Sequence, residues 1–354
     1  MTDLSGAADG EEPVTPARLA GLLETVEQHL LGDAPTLTRI EVAERAGVPL
    51  EMAVQLWRLL GFATNDDDEV AFTEADVEAL RASDELTRLG ILSEDSQAAL
   101  VRTWGRSFAR LAEWETTLLA NVAGADEDPE ARLAVLAAEV LPRVESLQTY
   151  IWRRHLASAS SRLVSVQSGG TAAAELAVCF VDIVGYTSRS KSLDESELVA
   201  WLEGFEDAAT GVVVDRGGRI IKTIGDEILF VSDDPAAAAE VALLLTERGE
   251  DPDDPFPSVR AAIAHGEVVS RLGDVFGPVV NIASRLTSLA RPGTVLVDRQ
   301  AYEVLSGRVG ADEDDDPAGA EPPPDDGTPY RFRRMRRSSV KGYARLQSWV
   351  LRRA

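Results

Sequence analysis

The sequence has 354 residues, 45% hydrophobic and 27% charged, which fits a folded protein of about two domains and excludes a wholly disordered chain. Sixty acidic residues stand against 35 basic ones, a net charge of −25, which repels nucleic acid and anionic lipid wherever no local basic patch overrides it. The single cysteine excludes an intrachain disulfide and a cysteine-based zinc site.

The N-terminus, from Met1 to Pro13, is acidic and lacks the apolar core of a signal peptide. The longest apolar stretch, Pro235 to Thr246, is interrupted by Glu240 and is too short for a membrane span. A cytoplasmic protein without a membrane span is expected.

Residues 1–14 read as a flexible tail. Thr15-Pro16 is an N-cap and first-turn pair, and Leu19, Leu22, Leu23, Val26, His29 and Leu30 follow at helical spacing up to Gly32. Two short helices flank Ala46-Gly47-Val48-Pro49, the second running from Leu50 to Leu60, and another helix opens at Phe72-Thr73-Glu74. The pattern looks like a winged helix–turn–helix, but its charge argues against reading DNA. Arg58 is the second helix's only base, Glu51 lies on the same helix, and the loop Asn65-Asp66-Asp67-Asp68-Glu69 would face phosphate with like charge. Further helices are predicted from Thr87 to Val122 and from Pro129 to about Leu163. Ser168-Gly169-Gly170-Thr171 reads as a linker. The predicted organisation is a helical domain over 15–165, a linker over 166–175 and a second domain over 176–354.

The pattern changes after the linker. Leu176 to Val181 is a near-continuous apolar run, a buried strand. A helix is predicted from Asp194 to about Val214. Strands Arg219–Thr223 and Glu227–Val231 flank Gly225-Asp226 as a hairpin. A helix over Ala236–Glu247 follows, then a second hairpin of Val259–Ala264 and Glu267–Arg271. Gly277-Pro278 opens a helix to about Leu289, and Thr294–Val297 is another strand. This β-α-β-β-α-β alternation predicts an α+β, ferredoxin-like domain after an all-α one. Residues 311–326 hold eight acids and no bases, a solvated insert, and 331–354 hold nine bases and no acids around the last strand.

Three segments carry the chemistry. Asp182 follows the first buried strand, in Phe180-Val181-Asp182-Ile183-Val184-Gly185-Tyr186-Thr187, and Asp226 sits at a hairpin tip, in Lys222-Thr223-Ile224-Gly225-Asp226-Glu227. A carboxylate at the end of an apolar strand is costly unless it is exposed or binds a cation. Two of them brought together by a sheet suit a two-metal site for phosphoryl transfer. In Asp274-Val275-Phe276-Gly277-Pro278-Val279-Val280-Asn281-Ile282-Ala283-Ser284-Arg285, Asn281 and Arg285 share one helix face. Taken singly, each element is ordinary turn or surface chemistry.

Taken together and in this order, the three segments resemble the catalytic domain of class III nucleotidyl cyclases. The resemblance implies an adenylate cyclase converting ATP to 3′,5′-cyclic AMP and pyrophosphate. It implies Asp182 and Asp226 as ligands of two Mg2+ or Mn2+ ions per site, with the Ile183 carbonyl as a backbone ligand. It assigns Lys222 and Asp274 to the purine, Asn281 to the ribose, Arg285 to the transition state and Lys341 to the triphosphate. Gly185, Tyr186 and Thr187 lie where free backbone amides would meet phosphate. Adenine offers an amine donor and an N1 acceptor, which suit Asp274 and Lys222; guanine offers the opposite pattern. The family works as dimers, so one complete catalytic domain per chain implies a homodimer with two equivalent shared sites.

The helical half resembles the regulatory domain of soluble actinobacterial adenylyl cyclases, which implies regulation. His29, His155 and His265 are the histidines able to titrate near neutrality. Two other readings compete. One is a degenerate cyclase sensing nucleotide for an attached DNA-binding helix–turn–helix, against which the complete residue set argues. The other is a guanylate cyclase, which Lys222 and Asp274 disfavour.

Overall fold

The computed structural model describes residues 30–63, 65–90, 94–124, 128–168, 174–308, 328–336, 338–340 and 343–354. The chain divides into two units, Met1–Arg162 and Leu163–Ala354. The predicted tail over 1–14, most of the predicted helix over 15–30, the acidic insert and Lys341 lie outside the described residues.

In the first unit, β1 (Leu37–Thr38) leads into α1 (Arg39–Ala46). The Thr38 hydroxyl accepts from Glu41 N while the Glu41 carboxylate accepts from Thr38 N, closing both ends of a capping box. Gly47, at φ 72°, makes the left-handed turn into α2 (Leu50–Leu60), so the predicted helix–turn–helix forms. β2 (Val70–Phe72) pairs antiparallel with β1, and α3 (Glu74–Arg88) follows. Val42, Trp57, Phe72, Val77 and Leu80 share one small core, with the Trp57 and Phe72 rings 4.8 Å apart.

The helix predicted to start at Thr87 is instead two helices. α3 stops at Arg88 because Gly90 turns left-handed at φ 64°, and α4 (Glu94–Gly124) begins afresh. α5 (Pro129–Val135), a π-helical turn over Leu136–Val140 and α6 (Leu141–Ser168) complete the helical part. The linker expected over 166–175 is shorter, since α6 reaches Ser168 and β3 (Ala174–Ile183) starts at Ala174.

The second unit is built on β3, which is buried along most of its length. Ala177, Cys179, Val181 and Ile183 enter one core and Leu176, Val178 and Phe180 the other, so both faces of the strand are covered. After α7 (Tyr186–Ser190) come α8 (Glu195–Asp215), β4 (Arg219–Ile224), β5 (Glu227–Ser232) and α9 (Pro235–Glu250). Then follow β6 (Val259–Arg271), β7 (Asp274–Phe276), α10 (Pro278–Leu289), β8 (Val295–Val297) and α11 (Arg299–Ser306). β9 (Tyr330–Arg334), β10 (Ser338–Val340), β11 (Tyr343–Leu346) and β12 (Trp349–Arg353) end the chain.

The main sheet runs β4-β5-β3-β6-β8-β12-β9, with β7 on the far end of β6 and β10–β11 as a separate pair. Its first four strands are mutually antiparallel, in the order expected for β-α-β-β-α-β. Phe205 of α8, Leu245 of α9 and Tyr302 of α11 fill the core on one face, while Val279 and Ala283 of α10 pack on the other.

Two expectations are corrected. The hairpin predicted at His265-Gly266 does not form: β6 is one strand of 13 residues, paired with β3 from Val259 to Val268. Gly266, at φ 146°, bends within that pairing, and the chain reverses at Leu272-Gly273 to pair with β7. Asp182 lies inside β3, not beyond it, and the basic segment over 331–354 holds four strands where a last strand was expected.

Candidate active site

Sheet register assembles an acidic group at one end of β3. Asp182 stands directly opposite Glu227 of β5 on one side and Arg260 of β6 on the other. Arg260 donates through Nε at 2.7 Å and through a second nitrogen at 2.6 Å to the same Asp182 oxygen. It also donates to the Ser288 carbonyl in the last turn of α10 at 3.4 Å. The β4–β5 turn places Asp226 beside this row. Gly225 takes φ 64° there, and Ile183 N donates to the Asp226 carbonyl at 3.2 Å, tying the hairpin tip to the end of β3.

Charge is crowded in this group. Burial pushes the Glu227 carboxyl up to about 7, helped by the Asp182 and Asp226 charges, with Arg260 opposing. Asp226 is raised as well, first by burial and then by Asp182, against a backbone hydrogen bond and Arg260. The carboxylates therefore carry more negative charge than the one guanidinium offsets, and a further cation suits them. Hard carboxylate oxygens fit Mg2+ or Mn2+. Among the described residues no group of three or more His, Cys, Asp or Glu side chains is placed to hold a metal.

Beyond β3, Gly185 turns left-handed at φ 75° and starts the short α7, which contains Tyr186 and Thr187. The Tyr186 ring stacks on Trp201, and the Arg189 guanidinium lies 5.1 Å from the Trp201 ring centre.

Lys222 projects from β4 and meets Asp274 of β7, with Nζ 2.5 Å from Oδ2. The other Asp274 oxygen accepts from Val275 N at 2.8 Å, which fixes the carboxylate. On α10, Val279, Ala283 and Leu286 face the core, so helical spacing leaves Asn281 and Arg285 exposed on the opposite side. Among the described residues nothing pairs with the Arg285 guanidinium, and no hydrogen bond or ion pair links Asn281 or Arg285 to Asp182 or Asp226.

The structure thus brings together Asp182 with Asp226, Lys222 with Asp274, and Asn281 with Arg285, as three groups. Glu227 and Arg260 were not among the predicted site residues. Arg260 had a signal: a lone base inside the apolar run Val259–Ala264 calls for a buried acid.

Residues 171–352 match the family described as adenylate and guanylate cyclase catalytic domain, and residues 14–147 match the adenylate cyclase regulatory domain. An adenylate cyclase of Glutamicibacter nicotianae is 39% identical over 304 residues, covering 80% of this chain and 75% of that protein. An adenylate cyclase of Streptomyces coelicolor is 40% identical over 308 residues, covering 84% and 77%. A solved structure, the adenylyl cyclase CyaB from P. aeruginosa, is 20% identical, covers 51% of this chain and 95% of that one, and gives a TM-score of 0.41. The chain belongs to the class III adenylate and guanylate cyclase family. It is an enzyme that groups with actinobacterial adenylate cyclases and carries their regulatory domain ahead of the catalytic one. Among the described residues no helix is long and apolar enough to cross a membrane.

Proposed function

We propose that this protein converts ATP to 3′,5′-cyclic AMP and pyrophosphate at two sites shared between the chains of a homodimer. The observation that carries the substrate choice is the Lys222–Asp274 pair, whose Nζ and Oδ2 lie 2.5 Å apart. Such a pair presents one donor and one acceptor side by side. The lysine can donate to adenine N1 and the aspartate can accept from the exocyclic amine. Guanine, with O6 as acceptor and N1–H as donor, would meet the wrong group at each position.

Asp182 and Asp226, with the Ile183 carbonyl, would hold two Mg2+ or Mn2+ ions. When bound, such ions offset triphosphate charge and ease ionisation of the ribose 3′-hydroxyl. The 3′-oxygen attacks the α-phosphorus and the bond to pyrophosphate breaks. Asn281 holds the ribose in line for that attack. Negative charge grows on the phosphoryl oxygens, and Arg285 offers a planar, multiply donating cation to meet it. The amides after Gly185 receive the outer phosphates, and Lys341 belongs with them.

Sharing between chains is supported by the separation of the groups. Asn281 and Arg285 face solvent, with no partner for Arg285 among the described residues, and a second copy supplies the carboxylate end they lack. Regulation by the helical unit is supported by the match over 14–147, and a relative 32% identical over 320 residues is named as a pH-sensitive adenylate cyclase of Mycobacterium tuberculosis.

The test is direct. Purified protein is incubated with ATP or GTP and either Mg2+ or Mn2+, and the cyclic products are identified. Cyclic AMP as the main product supports the proposal. Cyclic GMP as the main product, or no cyclic product under any condition, overturns it.

A further inference from the structure

The end of the main sheet formed by β12 and β9 departs from the charge of the chain as a whole. These strands hold Arg331, Arg333, Arg334, Arg352 and Arg353 and no acid. Register sorts the arginines by face. Arg352 stands directly opposite Arg331, and Val350 opposite Arg333. Side chains alternate along a strand, so Arg331, Arg333 and Arg352 share one face. Phe332, Trp349 and Leu351 turn to the other face and enter the core. Arg353, on that core side, reaches Glu240 at 2.6 Å and Glu247 at 2.7 Å.

The three arginines of the first face are exposed, and among the described residues none of them has a hydrogen bond or an ion pair. The elements beside them supply no acid. β8, which pairs with β12, reads Val-Leu-Val. α10, whose Leu286 packs with Val350, contains no acid from Pro278 to Leu289. Like charges directly opposite on a sheet repel each other. A chain with 60 acids and 35 bases has ample means to pair them, yet this face is left purely basic. The planar fork of arginine suits phosphate oxygens, and an oxyanion seated between guanidiniums turns their repulsion into binding.

Size decides which anion fits. Neighbouring strands are ~4.8 Å apart and residues two along a strand are ~6.8 Å apart, so the three side chains start from a triangle that a di- or triphosphate can span. A membrane-binding cluster needs about 4–8 bases, and a nucleic-acid site makes about 6–10 phosphate contacts. Three arginines are too few for either, and a net charge of −25 repels both. Leu351 pairs with Val295 and Val295 with Ala261, so Arg352 lies in line with Arg260, two strands or ~10 Å away. The arginine face is thus at the same end of the sheet as Asp182 but apart from it. We propose that Arg331, Arg333 and Arg352 form a binding site for a free polyphosphate anion, a di- or triphosphate, separate from the acidic group and needing no metal. Pyrophosphate, released by the proposed cyclisation, belongs to this class; only that source rests on the reading above.

The full chain, freed of metal with EDTA and held at constant ionic strength, is titrated with tripolyphosphate. Its thermal midpoint is expected to rise by about 5 °C at a hundredfold excess over Kd. Arg331→Gln combined with Arg352→Gln is expected to weaken binding, read by isothermal titration calorimetry, at least about 10-fold. The midpoint of that variant without ligand is expected to stay at or above the wild-type value, because a repelling pair is gone. Arg352→Lys keeps the charge but loses the fork, and is expected to weaken binding severalfold. Phenylglyoxal, which modifies exposed arginines, locates the site by peptide mass mapping. Tripolyphosphate is expected to protect Arg331, Arg333 and Arg352 and not Arg58, an exposed arginine of the first unit.

Protection confined to other arginines, or equal affinity in the wild type and the double variant, overturns the site. Unchanged affinity in Arg352→Lys leaves only diffuse attraction between charges and overturns it as well. So does binding of phosphatidylserine vesicles or a single-stranded oligonucleotide through these arginines where tripolyphosphate does not bind. Cyclic AMP formation is measured on the same preparations. Normal turnover without protection sinks the anion site alone. Protection without any cyclic product sinks the proposed reaction and leaves the anion site standing.

Discussion

Asp298 offers the sharpest test of the physical account. It caps α11 and is 6% exposed. One oxygen, Oδ1, accepts from Ala301 N at 2.8 Å and from His265 N at 3.3 Å, joining the helix start to β6. Burial nevertheless outweighs these bonds and pushes the carboxyl from 3.8 up to about 6. The fold therefore favours the neutral form. Below about pH 4 both the folded and the unfolded chain hold the proton, and burial of the charge costs nothing. As pH rises from about 4 to 6 the unfolded chain releases its proton first, so stability falls. Above pH 6 the full cost is in place. At 1.36 kcal/mol per pH unit, a shift of about two units amounts to about 3 kcal/mol. Asp298→Asn keeps an Oδ1 acceptor and the cap while removing the charge. For a unit of this size the expected gain at pH 7.5 is about 5–10 °C in the unfolding midpoint, with almost none at pH 4. The assay is thermal unfolding of both proteins followed by circular dichroism between pH 4 and 8. Parallel curves over that range, or a variant less stable than wild type at pH 7.5, refute the reasoning.

The remaining predictions concern activity. Asp182→Ala and Asp226→Ala should each lower cyclic AMP formation at least about 1000-fold at saturating Mg2+, with unchanged circular dichroism, since each removes a ligand the ions need. Mixed Asp182→Ala and Arg285→Ala chains should recover activity, because one site of each mixed dimer keeps both groups; failure despite demonstrated exchange counts against sharing. Lys222→Ala or Asp274→Ala should cut the preference for ATP over GTP about 10- to 100-fold in kcat/KM, measured with both substrates. A chain starting at Leu163 should differ severalfold in specific activity from the full protein, upward, with weaker dependence on pH between about 5.5 and 8; superimposable pH–rate profiles at equal dimer concentration would remove the helical half from control.

What the sequence made legible was local. The apolar run from Leu176 to Val181 could only be a strand covered on both faces, and Gly225-Asp226 could only be a turn between strands. The spacing on α10 set Asn281 and Arg285 on one face and Val280, Ala283 and Leu286 toward the core, whereas the structure buries Val279 and leaves Val280 only partly buried. The misreadings came from glycines and from register. Gly266 was taken as a turn because glycine marks turns, whereas pairing with β3 continues past it to Ala174. Gly90, unread as a helix stop, divides what helical spacing joined. The row of Glu227, Asp182 and Arg260 depends on which residues three strands set side by side, and no spacing along one strand encodes that.

The same row fixes how α10 sits against the acidic group. Asp182 is held by Arg260 from the neighbouring strand, and Arg260 in turn reaches the Ser288 carbonyl at the end of α10. That linkage ties α10 to the acidic group by its backbone. It leaves the α10 side chains that matter, Asn281 and Arg285, directed outward, because the same helix must give Val279, Ala283 and Leu286 to the core. Turning Arg285 inward would rotate those three out of the core, at about 1.5–3 kcal/mol for each larger side chain exposed. The guanidinium is therefore held on the exposed face, where nothing among the described residues pairs with it. This packing supports the proposed sharing of the site between two copies, in which Arg285 would act across an interface.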